Sequence, residues 1–151
     1  MVFIRKCKAL LSLDYKTVLL FIEALLYLGW IRFQVLYFPF NKIAPTLGIF
    51  MKETDSTHIQ KDHEILSRIY IAIDVMNRNT FWETKCLVRA IAAMRMLEKR
   101  KIDSTLYLGT AKDASGKLIA HAWLRSGALY ITGAEEMNGF TITGMFAKHV
   151  Q

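Results

Sequence analysis

The hydrophobic periodicity of this chain changes once, near Ile102, and that change limits the possible folds more than any other feature. Before it, apolar residues recur at three- and four-residue steps, the spacing of one helix face. Leu87, Ala90, Ile91, Met94 and Leu97 follow this pattern from Cys86 onward, and Lys99, Arg100 and Lys101 close the segment where positive charge complements the helix dipole. Thr80 with Glu83, or Thr84 alone, could cap its start; either choice leaves Cys86 in the first turn or two. Two further helices are predicted upstream. One covers residues 15–31 with Asp14 as N-cap, and the other covers residues 58–76, closed by Asn77–Asn79. Pro39, Pro45 and Gly48 mark the connection between them.

After Ile102 the chain reads as strands. Residues 105–112, 117–125 and 128–132 are β-prone runs separated by turns at 113–116 and at Ser126–Gly127, and residues 140–146 add a last strand. Helices followed by an antiparallel β-meander predict an α+β fold. The whole chain, 1–151, is expected to be a single domain. Its helical part, 1–79, packs on a second part, 80–146, holding the cysteine helix and the strands.

Apolar residues make up 53% of the 151 residues and charged ones 22%, which excludes a disordered chain. The net charge of +7 is spread along the sequence. With no arginine-rich arm, aromatic–basic alternation or zinc-ligand spacing, it does not point to nucleic acid. Residues 18–27 are the most hydrophobic stretch, but Glu23 interrupts them, and they fall short of the ~20 residues of a membrane span. They read as a buried helix, with membrane-surface attachment as the lesser alternative. Cys7 and Cys86 form no disulfide framework, so a reduced, cytoplasmic protein is expected. His58, Asp62 and His63 lack further ligands at a suitable spacing, so no metal is expected.

The chemistry points to Cys86. A thiol at a helix N-terminus meets the positive end of the helix dipole, which favours the nucleophilic thiolate. It needs a base, and His121 lies 35 residues downstream on the second proposed strand, within Ala120–His121–Ala122–Trp123. A lone helix cysteine and a lone strand histidine are each more often packing residues. Their joint placement, cysteine on a helix and histidine on the adjoining sheet, is the papain-like arrangement.

The stretch Trp82–Glu83–Thr84–Lys85–Cys86–Leu87–Val88–Arg89–Ala90, then Leu106–Tyr107–Leu108–Gly109, then Ala120–His121–Ala122–Trp123–Leu124–Arg125, resembles the leader peptidases of lasso-peptide biosynthesis, within the transglutaminase-like superfamily. The resemblance implies a papain/transglutaminase-like core and a cysteine peptidase without a cofactor. Its substrate would be a ribosomally made precursor peptide, whose leader it removes. It further implies two partners: a separate leader-binding protein, as in the split form of the family, and an ATP-dependent macrolactam-forming cyclase. Cys86 would form the acyl-enzyme and His121 would act as base and then acid, with the Cys86 amide and a donor from residues 82–85 binding the oxyanion.

One position departs from the family. An aspartate about a dozen residues after the histidine often orients the imidazole there, and this chain has Gly133. A two-residue turn at Ser126–Gly127 would pair residue 125 with 128 and set Thr132 opposite His121, which makes Thr132 one candidate third member. Glu135 and Glu136 lie just beyond, and Asp113 is more distant. Trp82 and Trp123 flank the pair and could shape a groove or simply pack. Two other functions share these residues: acyl transfer to an amine, and a non-catalytic scaffold in which Cys86 is only packed.

Overall fold

The computed structural model describes residues 14–57 and 62–150. Helix α1 spans Tyr15–Tyr37. Asp14 caps it, accepting from the Thr17 amide at 3.3 Å and from the Thr17 hydroxyl at 2.5 Å. The helix runs six residues past the predicted end. Nothing in residues 32–37 opposes helix, and it stops only where Pro39 forces the preceding Phe38 into an extended conformation (φ −116°, ψ 138°). A short helix α2, Phe40–Ile43, and a 3₁₀ turn lead to a two-residue strand β1, Ile49–Phe50, which the sequence reading missed.

Helix α3 spans His63–Asn79 and turns Leu66, Ile69, Ala72 and Ile73 inward. The predicted start at residue 58 lies outside the described residues. Helix α4, Cys86–Lys99, is the central element, buried on nearly every side between α1 and α3 on one flank and the sheet on the other. Ala90, Ala92 and Ala93, all fully buried, let its neighbours approach closely. Neither predicted cap operates. Lys85 holds the N-cap position without a side-chain hydrogen bond, Thr80 terminates α3, and Thr84 donates to Asn77 Oδ1.

The sheet contains β2 (Ser104–Lys112), β3 (Leu118–Ser126), β4 (Leu129–Thr132) and β5 (Thr141–Lys148) in the order β1-β5-β2-β3-β4, with every pair antiparallel. The fold is therefore α+β, as expected. β2–β3–β4 form the meander, and β5 returns along the free side of β2. Gly48 permits β1 to join: its φ is +120°, and a Cβ there would stand 2.1 Å from the Ala147 carbonyl oxygen.

The β3–β4 hairpin departs from the predicted register. Ser126 pairs with Leu129 and Arg125 with Tyr130, so the turn is Gly127–Ala128, and a bulge then sets Leu124 opposite Thr132. Gly127 takes the positive φ of the turn, 54°, as its first residue instead of its second. Thr132 is consequently not opposite His121.

The two faces of the sheet are covered differently. Leu106, Ala122 and Leu124 join the helical core. The alternate residues Tyr107, His121, Trp123 and Arg125 are also buried, and the two-residue period assigns them to the other face. There the Tyr107 and Trp123 rings stack at 5.6 Å. Arg125 donates to the Tyr107 hydroxyl (2.8 Å) and the Thr54 carbonyl (3.0 Å), and Tyr107 donates to Glu53 (2.9 Å), so the chain around residues 53–54 is strapped across this face.

Candidate active site

Cys86 is the first residue of α4, a free thiol half-buried against the hydrophobic core. Helices remote in sequence hold the loop before it: Arg32 of α1 donates to the Glu83 carbonyl, and Asn77 of α3 receives the Thr84 hydroxyl. Trp82 lies beside Gly29 of α1, so it packs against a helix. Its indole Nε1 is buried and has no hydrogen-bond partner among the described residues.

His121 sits on β3, 4% exposed, with its ring stacked on Trp123 at 5.8 Å and tilted against Phe140 at 5.2 Å. Its Nε2 is 2.9 Å from the Gly133 carbonyl oxygen. A carbonyl only accepts, so Nε2 must carry the hydrogen and Nδ1 keeps the basic lone pair. Nδ1 in turn lies 3.6 Å from Glu136 Oε2, an ion pair once the ring is protonated. The imidazole is thus fixed in plane, rotation and tautomer by its surroundings.

The group that orients the His121 ring is therefore a main-chain one. Gly133 occupies the position where the family often has aspartate, and its carbonyl does the orienting. No side chain fits there. The backbone is left-handed (φ +73°), and a Cβ would stand 2.7 Å from Ala122 O, 2.9 Å from Trp123 Cβ and 3.0 Å from His121 Nε2. Of the predicted candidates, Thr132 makes no bond to the ring, and its buried hydroxyl is unpaired among the described residues. Glu135 is exposed on the rim of a cavity of about 50 Å³ that Asp74, Arg89 and Thr132 also line. Only Glu136 comes near the imidazole. Asp113 closes its own turn, accepting from Ser115 and from the Lys117 amide, and these bonds hold its carboxyl below the usual range.

No hydrogen bond joins Cys86 to His121; among the described residues the thiol has none. α4 packs across β3, which carries His121, but the imidazole is one residue out of phase with Ala122 and Leu124, the positions that meet the helical core. Beyond Leu124 toward His121, β4 no longer pairs with β3, and the chain at Gly133 runs alongside instead. The histidine therefore lies where the sheet edge is not covered by a strand. Among the described residues, no group of three His, Cys, Asp or Glu side chains could hold a metal ion.

A family profile described as transglutaminase-like superfamily matches residues 34–144, well over half of the chain. The chain belongs to the transglutaminase-like superfamily. The match spans α4 with Cys86, β3 with His121 and the Gly133 loop, and the mixed helix and antiparallel-sheet architecture agrees with it. No curated protein and no solved structure matches the chain. Members of this superfamily are commonly cysteine-dependent enzymes of peptidase or acyl-transfer type.

Proposed function

We propose that this protein is a cysteine peptidase that removes the leader from a ribosomally made lasso-peptide precursor, with Cys86 as nucleophile and His121 as general base and acid. The observation that carries the reading is the His121–Gly133 bond, which leaves Nδ1 as the basic nitrogen on the strand crossed by the cysteine helix. Sequence resemblance around Cys86 and His121 supplies the substrate class.

In this reading the Cys86 thiol transfers its proton to Nδ1 and Sγ attacks the scissile carbonyl carbon. The backbone N–H of Cys86 donates to the oxyanion. Collapse breaks the C–N bond, the imidazolium protonates the departing amine, and a thioester remains. Water then attacks the thioester, gives its proton to Nδ1 and releases the leader as a carboxylate, and the thiol is restored. Glu136 stabilises the imidazolium in both halves, and Gly133 O holds Nε2–H, so that Nδ1 is the nitrogen left to exchange the proton. This reading requires the thiol and the imidazole, which make no hydrogen bond to each other and belong to positions out of phase across β3, to be brought together when substrate seats.

A separate leader-binding protein and a macrolactam-forming cyclase complete the pathway in this reading, with the reaction in the cytoplasm. Superfamily membership favours one second reading, transfer of the Cys86-bound acyl group to an amine in place of water. Precursor peptide incubated with the protein and a primary amine separates the two by product mass. Cys86→Ala is expected to abolish cleavage with the fold retained by circular dichroism, and His121→Ala to lower the rate by orders of magnitude. A well-folded Cys86→Ala protein that still cleaves overturns the proposal.

A further inference from the structure

α1 carries two apolar stripes, and the fold uses one. Leu20, Phe21, Ala24, Leu28 and Ile31 are buried against α3 and α4. Leu19, Ile22, Leu26 and Trp30, at the same helical spacing on another side, are 59%, 48%, 67% and 57% exposed. So much apolar surface on one helix marks an interaction site. These residues line a groove of about 720 Å³ that Ile65 of α3 and the C-terminal end of α4 help to wall. At 23 residues α1 is longer than the sequence pattern predicted and is long and apolar enough to cross a membrane, but α3 and α4 wall its exposed stripe into a concave groove, a shape suited to an inserted segment.

Charge narrows the occupant. Lys16, Arg68, Lys99 and Arg100 border the groove against one carboxylate, Glu23. Glu23 is shared between Arg100 (2.6 Å) and Lys99 (3.2 Å), and Arg68 faces Asp14 at 3.9 Å, so the four cations still exceed these two carboxylates and leave surplus positive charge beside the apolar floor. Residues 1–13 contain Arg5, Lys6 and Lys8 and no acid, so their charge opposes their own insertion.

We propose that this groove docks an amphipathic helix of another polypeptide, with apolar anchors three to four residues apart and acidic residues beside them. The site is distinct from Cys86 and His121, and the proposal stands independently of the peptidase reading.

A displayed library of amphipathic helices with randomised polar positions, selected against the full folded chain, tests this without any turnover. Enriched peptides should be acidic, and their binding should shift the emission of Trp30, the most exposed of the three tryptophans. Leu26→Glu and Trp30→Ala should each weaken binding by about tenfold or more, the loss expected for a central anchor. Phe81→Ala, also exposed but outside this groove, should leave affinity unchanged. No enrichment, enrichment of basic peptides, or affinity indifferent to Leu26→Glu overturns the proposal. So does binding that appears only with phosphatidylglycerol vesicles and is lost in the Leu26→Glu protein, because the surface then serves a membrane.

Discussion

Gly133→Ala should damage both stability and activity, and the structure sets the size of the effect. Placing an L-residue at φ +73° costs about 1–2 kcal/mol. The added Cβ meets Ala122 O, Trp123 Cβ and His121 Nε2 at 2.7, 2.9 and 3.0 Å, and all three atoms belong to residues of β3, which is held in the sheet and cannot easily move. Such overpacking costs roughly 1–3 kcal/mol more. A loss of about 2–5 kcal/mol follows, which in a chain of this length lowers Tm by about 4–20 °C. Relief of the contacts must push the loop outward and carry the carbonyl away from Nε2, so cleavage should fall more than stability alone explains. Gly133→Asn separates the causes, since asparagine tolerates the left-handed region but still carries a Cβ. If steric contact dominates, Asn behaves like Ala; if backbone strain dominates, Asn recovers most of the loss. Urea unfolding with leader cleavage at a temperature where both proteins are folded gives the two numbers. A Gly133→Ala protein within about 0.5 kcal/mol and twofold of the parent would refute the role given to this loop.

Glu136→Gln should slow cleavage only a few-fold, because its carboxylate is 68% exposed and solvent screens it from the ring; a loss beyond a hundredfold would make Glu136 the orienting group in place of the Gly133 carbonyl. Glu23 resists ionisation through burial, but hydrogen bonds and attraction from Arg100 and then Lys99 outweigh this and hold its carboxyl below 4.5. Its folded-state value is thus depressed, and its contribution to stability is present above pH 4.5 and lost as pH falls through the folded value. Wild-type and Glu23→Gln stabilities should therefore differ at neutral pH and converge in acid, as denaturant titrations across pH would show. Tyr107→Phe removes the oxygen joining Arg125 to Glu53 and should cost about 1–3 kcal/mol by urea unfolding, as expected when a buried charged donor loses its acceptor.

The sequence carried the elements better than their connections. α4 was legible from its strong apolar spacing after Cys86, but its start was left open between two caps and neither operates: Thr80 and Thr84 both serve α3 instead. The end of α1 was misplaced because helical residues continue to Tyr37 and only Pro39 stops them. Register was harder. Moving the β-turn by one residue and adding a bulge exchanged Thr132 for the Gly133 loop beside His121. That exchange hid the orienting group, since every residue has a carbonyl and only the fold decides which one reaches a ring. The exposed stripe of α1 escaped notice for a related reason: apolar character on a helix shows that a face can be buried, not that this chain buries it.

The loop ahead of Cys86 is gripped by Arg32 of α1 and by Asn77 of α3, both from the helical part that precedes it. The position of Cys86 is thereby written in residues that have no chemistry of their own. A fragment starting at residue 80 would keep the cysteine, the histidine and the strands, yet it would lose the clamps that hold the loop ahead of Cys86. The helical half is the vice in which the reactive half is held, and the boundary between them is one of sequence style, with no seam in the folded molecule.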